Sequence, residues 1–66
     1  MRDWLKIKRQ DLGLSCGEVA KKIGISRQYY SMIELGNRRP TPEVAKRIAA
    51  VIGIDWARFF DEQQAS

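Results

Sequence analysis

Histidine is absent and cysteine occurs once, at Cys16. A lone cysteine cannot close an internal disulfide, and without histidine a structural zinc site would have one soft ligand at most. No metal and no other cofactor is therefore expected. No run approaches the roughly 18 consecutive apolar residues that a spanning helix needs, and the start Met1-Arg2-Asp3-Trp4 lacks the apolar stretch of a signal peptide. A cytoplasmic protein outside the membrane is expected. Sustained two-residue alternation is missing, as are Asn-Gly and Asp-Gly turns, which removes the usual signals of strands and hairpins. A phosphate-cradling glycine loop is missing too, as is a nucleophile with a base at recognisable spacing. The sequence thus argues against an enzyme.

What is present suits a small folded domain. The 66 residues are 44% hydrophobic and 30% charged, too apolar for a disordered tail. A chain of this length forms one domain, 1–66, with too little interior for a large catalytic cleft. The net charge is +4. Its distribution matters more than its size: residues 1–47 hold eleven Lys/Arg against five Asp/Glu, and residues 48–66 hold one against three, giving +6 and −2. An anionic partner would face the first two thirds.

Helix punctuation recurs every dozen residues, and five helices are predicted. The first, over residues 2–12, presents Trp4, Leu5, Leu12 and the stem of Lys8 on one face and stops at Gly13. Ser15-Cys16-Gly17-Glu18 has the spacing at which a serine hydroxyl and a glutamate three residues on satisfy each other's free backbone donors. The second helix starts there, carries Val19, Ala20 and Ile23 inward, and ends at Gly24. Ile25 follows as a buried anchor, and Ser26 caps a third helix that runs to Leu35 before Gly36. So short a connection forces the two helices to cross steeply, and the small Ala20 lets them approach. After the loop Asn37-Arg38-Arg39-Pro40, Thr41-Pro42 places a cap before a proline at the first helical position, where its missing donor costs nothing. The fourth helix buries Ala45, Ile48, Ala49 and Ile52 and ends at Gly53. Asp55 is expected to cap a short last helix bearing Trp56, Phe59 and Phe60, followed by a frayed tail over residues 61–66.

Gly13-Leu14-Ser15, Glu18-Val19-Ala20, Gly24-Ile25-Ser26-Arg27, Ile33-Glu34 with Gly36, Arg39-Pro40-Thr41 and Ile48-Ala49 together form a signature over residues 14–60. In these positions the chain resembles the Cro/C1-type helix-turn-helix regulators, or XRE family. The resemblance implies an all-α, lambda-repressor-like fold whose third helix enters the major groove of double-stranded DNA while the second crosses the phosphate backbone. It places the base-reading positions on Arg27, Gln28 and Met32, with Tyr29 and Ser31 beside the backbone or a neighbouring base. An arginine can offer two donors to guanine, and a glutamine can donate and accept at adenine. A solvated helix face is the plainer reading of Arg27 and Gln28. Met32 stands where a polar residue is usual, either to touch a thymine methyl or to shield the interface. Tyr30 takes a core position.

Phosphate contacts fall on Arg38 and Arg39, on the amide end of the second helix at Cys16 and Gly17, and on Ser26. Lys21 and Lys22 could reach flanking phosphates or simply face water. The family often has glutamine at the position of Cys16, which a thiol cannot replace as a bridge. The alternative for Cys16 is a redox switch at a helix N-terminus, the plainer one an incidental thiol. Arg9 and Glu34 match a family ion pair that locks the third helix to the first, with exposure of both as the alternative. Trp4, Trp56, Phe59 and Phe60 are expected to close the base of the domain as an aromatic cluster. Trp56, Phe59 and Phe60 are also candidates for a twofold interface, with the loop at Asn37 and the off-face Ile7 behind them, because such regulators read paired half-sites as homodimers. A repressor is the leading function. A restriction-modification controller, an antitoxin-type regulator or a helix-turn-helix domain turned to protein interaction would look alike.

Overall fold

The computed structural model describes residues 2–60, so the tail expected to fray lies outside the described residues. Four helices follow in order: α1 (Asp3–Asp11), α2 (Cys16–Ile23), α3 (Arg27–Leu35) and α4 (Pro42–Ile52). No strand occurs among the described residues. The fifth element begins differently from the expectation. Asp55 Oδ1 accepts the Ala57 amide at 3.0 Å, and the amides of Arg58, Phe59 and Phe60 bond three residues back to Asp55, Trp56 and Ala57. The aspartate thus sets a tight turn at 55–57, and residues 58–60 are helical where the description ends.

The starts of α2, α3 and α4 each reflect a cap in the sequence. Ser15 Oγ accepts the Glu18 amide at 3.1 Å, and Glu18 Oε1 accepts the Ser15 amide at 3.0 Å, closing the reciprocal box. Ser26 caps α3 through the Tyr29 amide, and Thr41 caps α4 through the Val44 amide with Pro42 behind it. The join between α2 and α3 needs Gly24, whose φ of 79° is left-handed. The amides of Gly24 and Ile25 then both reach the Ala20 carbonyl, at 2.9 and 3.0 Å, and turn the chain within three residues. Ser15→Ala should cost about 1 kcal/mol in urea unfolding. The same box holds the Glu18 carboxyl below the ordinary range, through the Ser15 amide first and its hydroxyl second. Because the folded value is the lower one, this contribution is present above the unfolded pKa and fades as pH falls through the depressed one.

The apolar stripes meet in one core of Leu5, Val19, Ala20, Ile23, Tyr30, Ile33, Ala45, Ile48, Ile52 and Phe59. Helices α2 and α4 supply most of its aliphatic mass, and α3 packs against α2 and α1. Two positions differ from the sequence reading. Leu12, expected on the inner face of α1, is half exposed (51%), because α1 ends one residue earlier and Leu14 turns inward instead. Ile25 packs against the core without being fully enclosed. The consequence for function is a third helix held on its inner face by Tyr30, Ile33 and Glu34, with its first turn facing outward.

Candidate nucleic-acid interface

Helix α3 is anchored by charge as well as by packing. Arg9 Nε donates to Glu34 Oε2 at 2.7 Å and Nη2 to Oε1 at 3.0 Å, a two-point pairing with side-chain exposures of 10% and 6%. Arg9 Nη1 also donates to the Leu14 carbonyl at 2.8 Å. One guanidinium thus ties α1, the turn before α2 and the end of α3 together. The hydrogen-bonded carboxylate holds Arg9 charged even more firmly than a free guanidinium. Beside the pair, the Tyr30 hydroxyl is enclosed and makes no hydrogen bond among the described residues. Its ionisation is pushed up by burial first and by the Glu34 charge second.

Along the rest of α3, Arg27 and Gln28 are exposed, and Tyr29, Ser31 and Met32 are half-buried. A shallow recess of about 220 Å³ brings Gln28, Tyr29 and Met32 together with Ser26 and Arg38. Arg27 lies on the other side, where a Cβ built on Gly17 would sit 3.7 Å from Arg27 Cδ. The start of α3 therefore borders the start of α2, whose first-turn amides at Cys16 and Gly17 have no intrahelical acceptor and form the positive end of that helix. The loop after α3 folds back on it: the amides of Asn37 and Arg38 both donate to the Met32 carbonyl, at 2.9 and 3.2 Å. The Arg38 guanidinium then lies 5.5 Å from the Tyr29 ring centroid, a cation over an aromatic face. The Arg39 guanidinium lies 5.4 Å from the Phe60 ring centroid.

Some expectations for single residues change. The Cys16 thiol is half-buried and points inward, its Sγ 4.0 Å from Glu34 Oε2, so only the backbone at this position faces outward with Gly17. The aromatic group is two edge-on pairs rather than one cluster, Trp4 with Phe59 at 5.2 Å and Trp56 with Phe60 at 5.7 Å. Phe59 is fully enclosed and belongs to the core, which removes it as a candidate for an interface between copies. Trp56 stays 37% exposed with Lys46 over its ring, and Ile7 is 55% exposed. The sequence reading missed two arginines. Arg47 donates to Glu43 at 2.6 Å and to the Ile23 carbonyl at 3.2 Å, closing the end of α2. Its i,i+4 spacing from Glu43 was a usable signal. Arg2, enclosed at the end of α3, had none.

Two short helices crossing at a glycine turn, the second with a locked inner face and a polar outer first turn, define a helix-turn-helix regulator that binds DNA rather than an enzyme. A family model described as helix-turn-helix matches residues 5–59, and the chain belongs to this family. The expected kinship with Cro/C1-type regulators is thereby borne out. The chain is 47% identical over 62 residues to the uncharacterized HTH-type transcriptional regulator YqaF of Bacillus subtilis (strain 168), covering 94% of this chain and 82% of that one. It is 41% identical over 51 residues to the ImmF control region 10 kDa protein of Bacillus phage phi105, covering 77% of this chain and 57% of that protein. An uncharacterized HTH-type transcriptional regulator of Methanothermobacter thermautotrophicus is 36% identical over 53 residues, 80% of this chain and 77% of its own length. No solved structure gives a significant match. Among the described residues no helix is long and apolar enough to cross a membrane.

Proposed function

We propose that residues 1–66 act as one unit, a cytoplasmic repressor that reads a palindromic DNA operator as a homodimer. The observation that carries this reading is the division of α3. Glu34, Tyr30 and Ile33 are fixed inside, while Gln28 and Met32 line a recess with Arg38 of the following loop and Arg27 stands exposed beside the start of α2. In this reading Arg27 and Gln28 address base edges in the major groove, and Met32 supplies an apolar surface for a thymine methyl. Tyr29 and Ser31 adjoin the backbone or a neighbouring base. The amides of Cys16 and Gly17, the capping Ser26, and Arg38 and Arg39 hold phosphates and set the register without reading sequence. The name of the phage relative, a control region protein, fits a regulatory role.

Dimerism follows from the size of the reading surface. One α3 addresses four or five base pairs at about 1 to 3 kcal/mol of discrimination each, too little to single out one site in a genome. A second copy doubles that term. Exposed Trp56 and the half-buried Phe60 beside it, with Ile7 and the loop at Asn37 as further candidates, are the surface for the pairing. Selecting sites from a random duplex pool, then weighing the complex by sedimentation, tests this reading. A twofold symmetric site with half-site centres about 34 Å apart, or a multiple, and two chains per duplex are expected. One chain on an asymmetric site would overturn the dimer, and no enrichment at all would point to a protein-binding module.

Arg38→Ala and Arg39→Ala should each weaken binding to all sequences alike and lower the slope of log K against log salt by about 0.9, the yield of one phosphate contact. A changed sequence preference at an unchanged slope would contradict that role.

A further inference from the structure

Arg2 is enclosed (6% exposed). Its backbone N–H donates to the Glu34 carbonyl at 2.8 Å. Its Nη1 donates to the Ile33 carbonyl at 2.5 Å and to the Arg38 carbonyl at 3.3 Å. The guanidinium also lies 5.7 Å from the Phe59 ring centroid. The carbonyls of Ile33 and Glu34 belong to the last turn of α3, where the helix dipole favours a cation; the Ile33 carbonyl also accepts the capping Gly36 amide at 3.1 Å. The Arg38 carbonyl belongs to the loop that carries the proposed phosphate grip.

We infer that Arg2 is a positioning residue for DNA binding, which holds the end of α3 and the Arg38 backbone in one frame so that the Arg38 guanidinium stands at the rim of the reading recess. Arg38 is fixed from two sides, its amide by the Met32 carbonyl and its own carbonyl by Arg2. With both peptide groups held, its side chain projects over Tyr29 at the edge of the recess that Gln28 and Met32 also line. Arg2 itself is too deeply enclosed to reach a phosphate, so its influence on DNA runs through the loop. Phe59 beneath its guanidinium fixes Arg2 in turn and links the base of the domain to the reading face. The inference rests on the proposed role of Arg38 as a phosphate contact.

The test is a double-mutant cycle of Arg2→Gln and Arg38→Ala on the duplex selected by the wild-type protein. Affinity is measured from low to high salt at a temperature where circular dichroism finds every variant folded. Should Arg2→Gln fold poorly, Arg2→Lys takes its place, keeping the charge while losing the planar donor that spans two carbonyls. Either Arg2 variant should lower the salt slope by about 0.9, the same as Arg38→Ala, with no further fall in the double variant. A merely structural arginine would lower thermal stability and leave the slope unchanged. A wild-type slope in the Arg2 variant, or losses that add in the double variant, would overturn the inference while leaving Arg38 as a phosphate contact. A wild-type slope in Arg38→Ala would remove the phosphate reading itself, and this inference with it.

Discussion

Arg9→Ala should destabilise the domain by about 3 to 5 kcal/mol, because it leaves the Glu34 carboxylate enclosed without its partner. A domain of this size has a total stability on the order of 5 kcal/mol, so the variant should be largely unfolded near body temperature. The loss exceeds that of an ordinary surface pair for two reasons. Both side chains are removed from water, and the guanidinium makes a third bond, to the Leu14 carbonyl, that positions the entry to α2. Replacing both partners by methionine should cost far less, since no charge is then stranded. Urea unfolding decides the matter. A loss below about 0.5 kcal/mol in Arg9→Ala would mean that packing of Tyr30 and Ile33 alone holds the third helix.

Arg27→Ala and Gln28→Ala should each weaken binding to the selected duplex by about 1 to 3 kcal/mol, roughly five- to 150-fold, and relax the preference at one or two base pairs. Both side chains are exposed on the first turn of α3, so truncation leaves the core intact and the thermal transition close to wild type. Binding and stability therefore separate, opposite to the pattern at Arg9. Arg27 has a second feature to lose, since its stem passes close over Gly17 at the start of α2. If both variants keep the full selected-site preference, the bases are read by some other surface.

Helices α2, α3 and α4 were legible because each begins and ends on local chemistry. Ser15 with Glu18, Ser26, Thr41 with Pro42, and the glycines at 24, 36 and 53 mark boundaries that the structure keeps within a residue. The outward side of Gln28 was legible too, since the helical period that buries Tyr30, Ile33 and Glu34 turns Gln28 away, whereas Arg27, three residues before Tyr30, is exposed because it stands at the helix end. What escaped was long-range. Arg2 bonds backbone carbonyls 31 and 36 residues away, and a carbonyl acceptor leaves no mark in the identity of the residue that bears it. The split of the aromatic group escaped for a related reason: the bend at Asp55 directs Phe59 inward and Trp56 outward, and a period counted along a regular helix does not contain that bend. The inward thiol of Cys16 depends on where Glu34 ends up, which is fixed by Arg9 on a different helix.

Chemical interference on the selected duplex tests most directly whether α3 reads DNA from the major groove. Dimethyl sulfate methylates guanine N7 in the major groove and adenine N3 in the minor groove, so one reaction separates the two surfaces. Methylation of guanine N7 within each half-site should block binding, in two clusters about one helical turn apart, and Arg27→Ala should relieve the block at the guanine it contacts. Interference confined to adenine N3, or its absence from both grooves while the protein remains bound, would contradict a third helix seated in the major groove.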